Sequence, residues 1–422
     1  MRILFISNLY PPYDLGGMEQ LCEESVNRLR AYGHTCLVLT SCYGVQKATP
    51  QEEGITRALY LEADIHYYRP LDFFLRRPAR EKANQRALRH AIDTFKPDVI
   101  FIWGMWNLST QVAYWVEQWL PGRVAYAVAN YWLMEPSMHE AYWQRPARRW
   151  WAKMLMVPAR WYALQVLKRE RETYPLALEQ IACVSHYVRD KLIAAGVLPH
   201  GARVIYNGID PEPFVRARQA QPQSQEGVLN LVYVGGILPH KGVHTAIEAL
   251  GRLQQQGQLT NIHLNLIGGG HPDYIAQLKQ RILELKLDHA ITFTGRIPRE
   301  QIPTLLGNAD VFLFTSTWEE PIARTVMEAM AAGLAVIGTA VGGQQEMLAD
   351  GVNALVYPPD DAAQLAECIL RLRQDPALLS RLAEAGHQTV LERFILERMI
   401  NEIETWLKEI VINSSVRVKK DE

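Results

Sequence analysis

The feature that most constrains this chain is a unit that recurs in both halves: a short apolar run, a glycine-bearing loop, then a stretch of helical periodicity. Residues 2–7 form such a run, the turn-rich segment Asn8 to Gly17 follows, and Met18 to Tyr32 carries Leu21, Val26 and Leu29 at helical spacing before Gly33 closes it. Residues 36–40 and 98–103 read as further buried strands, with others expected at 124–128, 180–184 and 202–206. After residue 227 the series restarts with strand 229–234, loop Gly235-Gly236, helix 243–256, strand 263–267 and the triple glycine 268–270. Strands at 291–294, 311–314 and 335–337 and a helix over 323–332 ended by Gly333 complete it. Apolar runs without polar alternation belong to strands covered on both faces, and strands that alternate with helices make a parallel sheet with helices on each side. The chain is therefore expected to be α/β, with two doubly wound parallel-sheet domains facing a central cleft. Ligands of such sheets gather at the carboxyl ends of the strands.

A length of 422 residues agrees with more than one core. The polar, Pro- and Gly-punctuated stretch 212–227 reads as the linker between a first domain at 1–211 and a second at 228–394. Residues 395–422 are expected to form a helix crossing back to the first domain, then a polar tail. With 44 Lys and Arg against 45 Asp and Glu, nothing draws the whole chain to nucleic acid. The charge is uneven, however: residues 1–226 hold 27 basic against 22 acidic side chains and the remainder 17 against 23, which points to an anionic partner for the first half. Five widely spaced cysteines without a C-x-x-C pair suggest neither a disulfide framework nor zinc, and fit a reducing compartment. The N-terminal apolar run is shorter than a signal-peptide core, and the apolar-rich run 99–116 is broken by Asn107, Ser109, Thr110 and Gln111. A cytoplasmic protein with no membrane span is expected.

No G-x-G-x-x-G follows the first strand, and Gly268-Gly269-Gly270 runs into His271-Pro272 instead of opening a helix, so a dinucleotide fingerprint is absent. What the loops share is glycine at strand-to-helix turns, where backbone amides and a helix N-terminus can meet a phosphate; tight turns that only save space are the plainer reading. Lys241, just ahead of a helix, conflicts with the positive helix end unless an anion lies beside it, or else is a solvated surface lysine. In Trp318 to Gly333, Pro321 suits the start of a helix, which puts Glu320 at its mouth and Glu328 two turns in, among Val326, Met327 and Met330 that must pack inward. Sugar or ribose hydroxyls would supply donors to both carboxylates. A capping glutamate plus an exposed one is the alternative.

In sequence order the chain carries Gly16-Gly17 after the first strand, Gly33-His34, Val184-Ser185, Asn207-Gly208-Ile209-Asp210, Val234-Gly235 with Lys241-Gly242, Thr294-Gly295, Glu320 and Glu328 separated by seven residues, and Gly342-Gly343 with Glu346. In this order the motifs resemble the retaining glycosyltransferases of family 4 over nearly the whole chain. The resemblance implies a GT-B fold, with the nucleotide sugar held mainly by the second domain and the acceptor mainly by the first. It implies that Glu328 binds the ribose, Lys241 the donor diphosphate and Glu320 the donor sugar, and that the amides of Gly16 and Gly17 approach the phosphate. Gly235 and Gly236 belong to the donor loop, but Gly236 stands where many members have arginine, and Pro321-Ile322-Ala323 replaces a commoner Gly-Phe-Gly or Pro-Phe-Gly. Arg324, in the first turn of its helix, is the candidate for the missing cation; a salt bridge to Glu320 or Glu328 is the plainer role. No D-x-D occurs, so no metal or cofactor is expected and the leaving group falls to Lys241, helix N-termini and amides.

Residues 142–172 mix eight Lys and Arg with Trp143, Trp150, Trp151, Trp161 and Tyr162, a composition suited to peripheral contact with an anionic membrane, here the inner face, and so to a lipid-linked acceptor. An ordinary helical insertion with core tryptophans is the other reading. The expected function is metal-independent retaining transfer of a hexose from a nucleotide diphosphate sugar to a glycan or lipid-linked glycan, with Glu320 and Lys241 catalytic. A nucleotide-sugar epimerase or hydrolase, or an inactive glycan-binding subunit, are the alternatives.

Overall fold

The computed structural model describes residues 1–45, 53–145, 150–198, 201–220 and 227–421, and these divide into two compact units. The first comprises Met1–Val184, Val188–Ile205 and the chain from Ile400 onward; the second comprises Ser185–Tyr187 and Tyr206–Met399.

The first unit holds a seven-stranded sheet of β1 (Arg2–Ser7), β2 (Thr35–Ser41), β3 (Ile55–Leu59), β4 (Val99–Gly104), β5 (Val124–Val128), β6 (Gln180–Cys183) and β7 (Arg203–Val204), in the order 3-2-1-4-5-6-7. The second holds six strands, β8 (Leu229–Val234), β9 (Ile262–Ile267), β10 (Ile291–Gly295), β11 (Val311–Phe314), β12 (Ala335–Gly338) and β13 (Leu355–Val356), in the order 10-9-8-11-12-13. Every pairing is parallel. The central strands are buried on both faces, as their unbroken apolar runs require. In each sheet the winding reverses once, between β1 and β4 and between β8 and β11, and loops leaving adjacent strands in opposite directions open a crevice at their carboxyl ends. The first sheet packs its core against the carboxy-terminal helix (Leu396–Asp421), whose Trp406 is buried with its ring 6.0 Å from that of Phe101.

Four expectations need correction. Residues 212–220, expected as linker, form a helix whose Arg218 donates to the carbonyls of Gly307 and Ala309, while 221–226 lie outside the described residues. The triple glycine does lead into a helix, Pro272–Glu284, because proline at its first position needs no donor there. The helix expected from Pro321 begins at Arg324, and the strand expected at 202–206 is only Arg203–Val204. Strands β3 and β13 were not expected: β3 is a short edge strand, and β13 has only two residues.

Candidate active site

At the reversal between β8 and β11, the chain after β8 runs through Gly235 and Gly236, makes a tight turn at Pro239–Lys241 and enters the helix Val243–Gln255. Gly242 caps that helix with φ of +67°, and a Cβ on it would lie 1.9 Å from the carbonyl oxygen of Thr315, at the end of β11. The hydroxyl of Thr315 donates to the Lys241 carbonyl at 2.6 Å, so the lysine backbone is tied to the neighbouring strand. The Tyr233 hydroxyl, its pKa raised by burial, donates to the Gly236 carbonyl at 2.8 Å. These contacts fix the backbone before any ligand arrives.

The Lys241 ammonium forms an ion pair with Oε1 of Glu320, which also accepts from the Ser316 hydroxyl at 3.1 Å. The same ammonium lies 5.7 Å from the centre of the Trp318 ring. An anion beside Lys241 was expected, and here the protein supplies one. Burial, and then the charge of Lys241, lowers the pKa of His240.

The segment carrying Glu320 is held from behind. The Gly343 amide donates to the Glu320 carbonyl at 2.7 Å, and a Cβ on Gly343 would stand 1.7 Å from the Pro321 carbonyl oxygen, so only glycine permits the approach. Ser185 donates to the same Pro321 oxygen at 2.8 Å, and the Ala323 amide donates to the buried side chain of Gln344 at 3.1 Å. Those bonds keep residues 321–323 out of the helix, with Ala323 extended, which is why the helix starts three residues late, with Arg324 at its first position. Glu346, carried into the pattern by resemblance, accepts from the amides of His186 and Tyr187 and from the Tyr206 hydroxyl, a structural duty.

Glu328 is 2% exposed. One of its oxygens accepts from Arg299 at 2.9 Å and lies 3.2 Å from Nε of Arg324. Both glutamates therefore have protein cations, where ligand hydroxyls had been expected to satisfy them. Arg324 sits on Glu328, the plainer of its two roles. Arg299 escaped the sequence reading: it is 29 residues from its partner and stands in no motif. Gly236 has a φ outside the left-handed region, and a Cβ there would meet only Leu238, at 3.5 Å.

In the first unit Gly16 caps the helix Gly17–Ala31, its amide donating to Glu19 at 3.1 Å, and burial raises the Glu19 pKa. Gly16 and Gly17 line a cavity of about 270 Å³ together with Asn8, Trp103, Trp106 and Trp132, at the reversal between β1 and β4.

The basic, aromatic stretch divides. Trp143 is buried against Phe73, Ala163 and Leu167, whereas Trp161 and Tyr162 are 65% and 55% exposed on the helix Trp150–Thr173. Trp150, Trp151 and Lys153 lie in that helix; Arg148 and Arg149 lie outside the described residues. No helix among the described residues is long and apolar enough to cross a membrane, and no group of three or more His, Cys, Asp or Glu among them could hold a metal ion.

Two family models match: one described as Glycosyltransferase Family 4 over residues 15–213, the other as Glycosyl transferases group 1 over residues 215–389. The chain is 32% identical over 252 residues to the amylovoran biosynthesis glycosyltransferase of Erwinia amylovora, a match spanning 56% of this chain and 60% of that protein. It is 27% identical over 413 residues to the glycogen synthase of Mycobacterium tuberculosis, covering 93% and 91% of the two. Among solved structures, the Anabaena protein HepE in complex with UDP-glucose superimposes with a TM-score of 0.68 at 20% identity, covering 97% of this chain and all of that one.

Proposed function

As this chain belongs to the glycosyltransferases of family 4 and group 1 and has their GT-B fold of two Rossmann-like domains, we propose that it transfers a hexose from a nucleotide diphosphate sugar to a glycan or lipid-linked glycan in polysaccharide biosynthesis, with retention and without a metal. The observation that carries this reading is the Lys241–Glu320 pair held at the β8/β11 reversal, one turn of loop from a helix N-terminus. A diphosphate placed there meets the ammonium and the amides at the start of the helix Val243–Gln255. Lys241 then exchanges Glu320 for phosphate, and Ser316 keeps Glu320 hydrogen-bonded while its carboxylate turns to the sugar hydroxyls. Glu328 faces the ribose with Arg299 and Arg324 steadying it.

In the transfer, the bond from the anomeric carbon to the diphosphate breaks with its electron pair going to the phosphate oxygen. The acceptor oxygen bonds to the same face of that carbon, and its proton passes to the departing phosphate. Preorganised positive groups are worth most where this charge develops. With no D-x-D in the sequence to hold a divalent ion, Lys241 and the amides are the groups assigned here as the diphosphate's counter-charge.

For the acceptor we propose a substrate presented at an anionic membrane surface. Leu71 and Leu75 on the helix Pro70–Leu75 and Val157, Trp161 and Tyr162 on the helix Trp150–Thr173 are all more than half exposed, Phe74 bridges the two helices through its 6.1 Å contact with Tyr162, and Arg76 is exposed beside them. Apolar and aromatic side chains with basic neighbours are the composition of an interfacial patch. Liposomes with anionic headgroups should retain the protein at low salt, and Trp161→Ala with Leu75→Ala should release it; indifference of the unmodified protein to such liposomes would remove this part of the reading.

Isothermal titration with UDP and GDP tests the transferase itself, and a screen of nucleotide sugars beginning with UDP-glucose identifies the donor. Binding of neither nucleotide would favour a glycan-binding subunit, and donor turnover unaffected by any acceptor would favour a hydrolase or epimerase.

A further inference from the structure

The first unit contains a second and larger cavity, of about 610 Å³. It shares Met105, Trp106 and Trp132 with the cavity under Gly16 and Gly17, so the two adjoin. Its floor comes from the loop after β4, and its walls from the helices Met138–Gln144 and Trp150–Thr173. Nothing in the donor chemistry uses this space.

The lining is of two kinds. Trp106, Trp132 and Tyr174 offer aromatic surface, which suits the apolar faces of pyranose rings. The ionisable side chains are the carboxyls of Glu62, Glu135, Glu140 and Glu170 and a single guanidinium, Arg171. That guanidinium is already paired with Glu140, while Glu170 is paired with Arg77 and accepts from Gln111 at 2.5 Å. Carboxyl oxygens accept hydrogen bonds from hydroxyl or ammonium groups. Burial keeps the Glu62 carboxyl protonated at neutral pH, and Arg171 and Arg77 neutralise Glu140 and Glu170, so Glu135 carries the net negative charge of the lining and both guanidiniums are already engaged where a phosphate or uronic acid would need them. The volume falls in the range of roughly 300–1,000 Å³ that buries a ligand of drug size, so it has room for more than a single sugar ring.

From this lining and its junction with the Gly16–Gly17 cavity, we infer that the cavity is a subsite for the acceptor chain, taking at least two sugar rings that are neutral or carry amino groups and excluding acidic ones. The inference rests on the transferase reading and adds the length and charge of the acceptor. A lipid diphosphate, if the acceptor carries one, lies outside this cavity, because the guanidiniums of Arg171 and Arg77 are both engaged by carboxylates and leave it no counter-charge.

An array of defined saccharides, from single rings to tetrasaccharides and including sialylated and phosphorylated members, tests this with the full chain. The unmodified protein should bind neutral or amino-bearing saccharides of two or more rings at least tenfold more tightly than the matching single rings. Trp132→Ala should lose at least tenfold of that binding. Glu135→Lys, at an exposed position where folding is not at stake, should admit acidic saccharides, a gain that loss of structure would not produce. Binding of single rings alone, a preference for acidic saccharides in the unmodified protein, or an unchanged Trp132→Ala would each overturn the proposal. So would an empty array from protein that still binds UDP or GDP, whereas loss of both would bring down the transferase reading as well.

Discussion

Both units pair their charges, but they differ in what the pairing leaves over. In the second, the candidate donor residues neutralise one another: Lys241 lies on Glu320, and Arg299 and Arg324 lie on Glu328. In the first, the candidate acceptor surface is an aromatic-walled cavity in which carboxyls outnumber cations. The difference follows from what each would bind. A diphosphate must find positive charge prepared and desolvated groups already satisfied, since an unpaired buried ion costs several kcal/mol. Hydroxyls of a sugar chain ask only for acceptors and a ring to lie against. The candidate donor residues are thus closed on one another until a ligand exchanges partners, whereas the candidate acceptor cavity presents carboxyl oxygens and aromatic faces on its lining.

The sharpest break of this contrast is Lys241→Ala. If the ammonium counters the leaving diphosphate, turnover should fall by about 10²–10³, or about 2.7–4 kcal/mol, the range for losing one preorganised donor to developing negative charge. Single-turnover kinetics would measure it. A variant within threefold of the parent would mean that the pair serves only to hold the fold.

Glu328→Ala comes next. Nucleotide affinity should drop by about 1.5–3 kcal/mol, the worth of a hydrogen bond to a charged group. The melting temperature should drop too, because Arg299 and Arg324 lose the carboxylate between them. Calorimetry and thermal unfolding separate the two effects. Unchanged affinity in the presence of lowered stability would assign Glu328 to structure alone.

The half proposed to hold the donor was the more legible because its signals are local. Glycines at strand ends and the Glu320-to-Gly333 stretch lie within single loops or helices, so the sequence alone singles out Lys241, Glu320, Arg324 and Glu328. Two features of that half still went unseen: Arg299, which meets Glu328 only through the fold of the sheet, and the late start of its helix, imposed by Gly343 and Ser185 from other segments. The half proposed to hold the acceptor was scarcely legible. Trp143 and Trp161 occupy similar sequence surroundings, yet one is 2% and the other 65% exposed, and which helix covers which tryptophan is a tertiary matter. The cavity is assembled from side chains between residues 62 and 197, so no periodicity marks it.

Gly236→Arg would sharpen the contrast from the other direction. A side chain fits at that position, and a guanidinium near Lys241 adds a bidentate donor for phosphate. Affinity for a nucleoside diphosphate should rise by about 1 kcal/mol, the net worth of an added hydrogen bond, with less gain for the monophosphate. Equal gains for both would place the new arginine away from the terminal phosphate.

The last expected effect belongs to Glu62, in the wall of the proposed acceptor cavity, and is read in stability and not in affinity. Burial pushes its pKa up to about 8, with Glu81 and Glu140 adding to the rise and Arg77 opposing it. In the unfolded chain it titrates near the ordinary carboxylate value, so between those two pH values the folded protein holds one proton more than the unfolded chain. Stability from this group is therefore complete below the ordinary value, declines as pH rises through the interval, and levels off above about 8. Glu62→Gln keeps the shape of the protonated form and cannot ionise. Its melting temperature relative to the parent should climb by a few °C between acidic and mildly alkaline pH and then stay constant. A difference that does not change with pH would show that the Glu62 carboxyl is ionised within the fold, and the acceptor cavity would then carry one more full negative charge, strengthening its exclusion of acidic sugars.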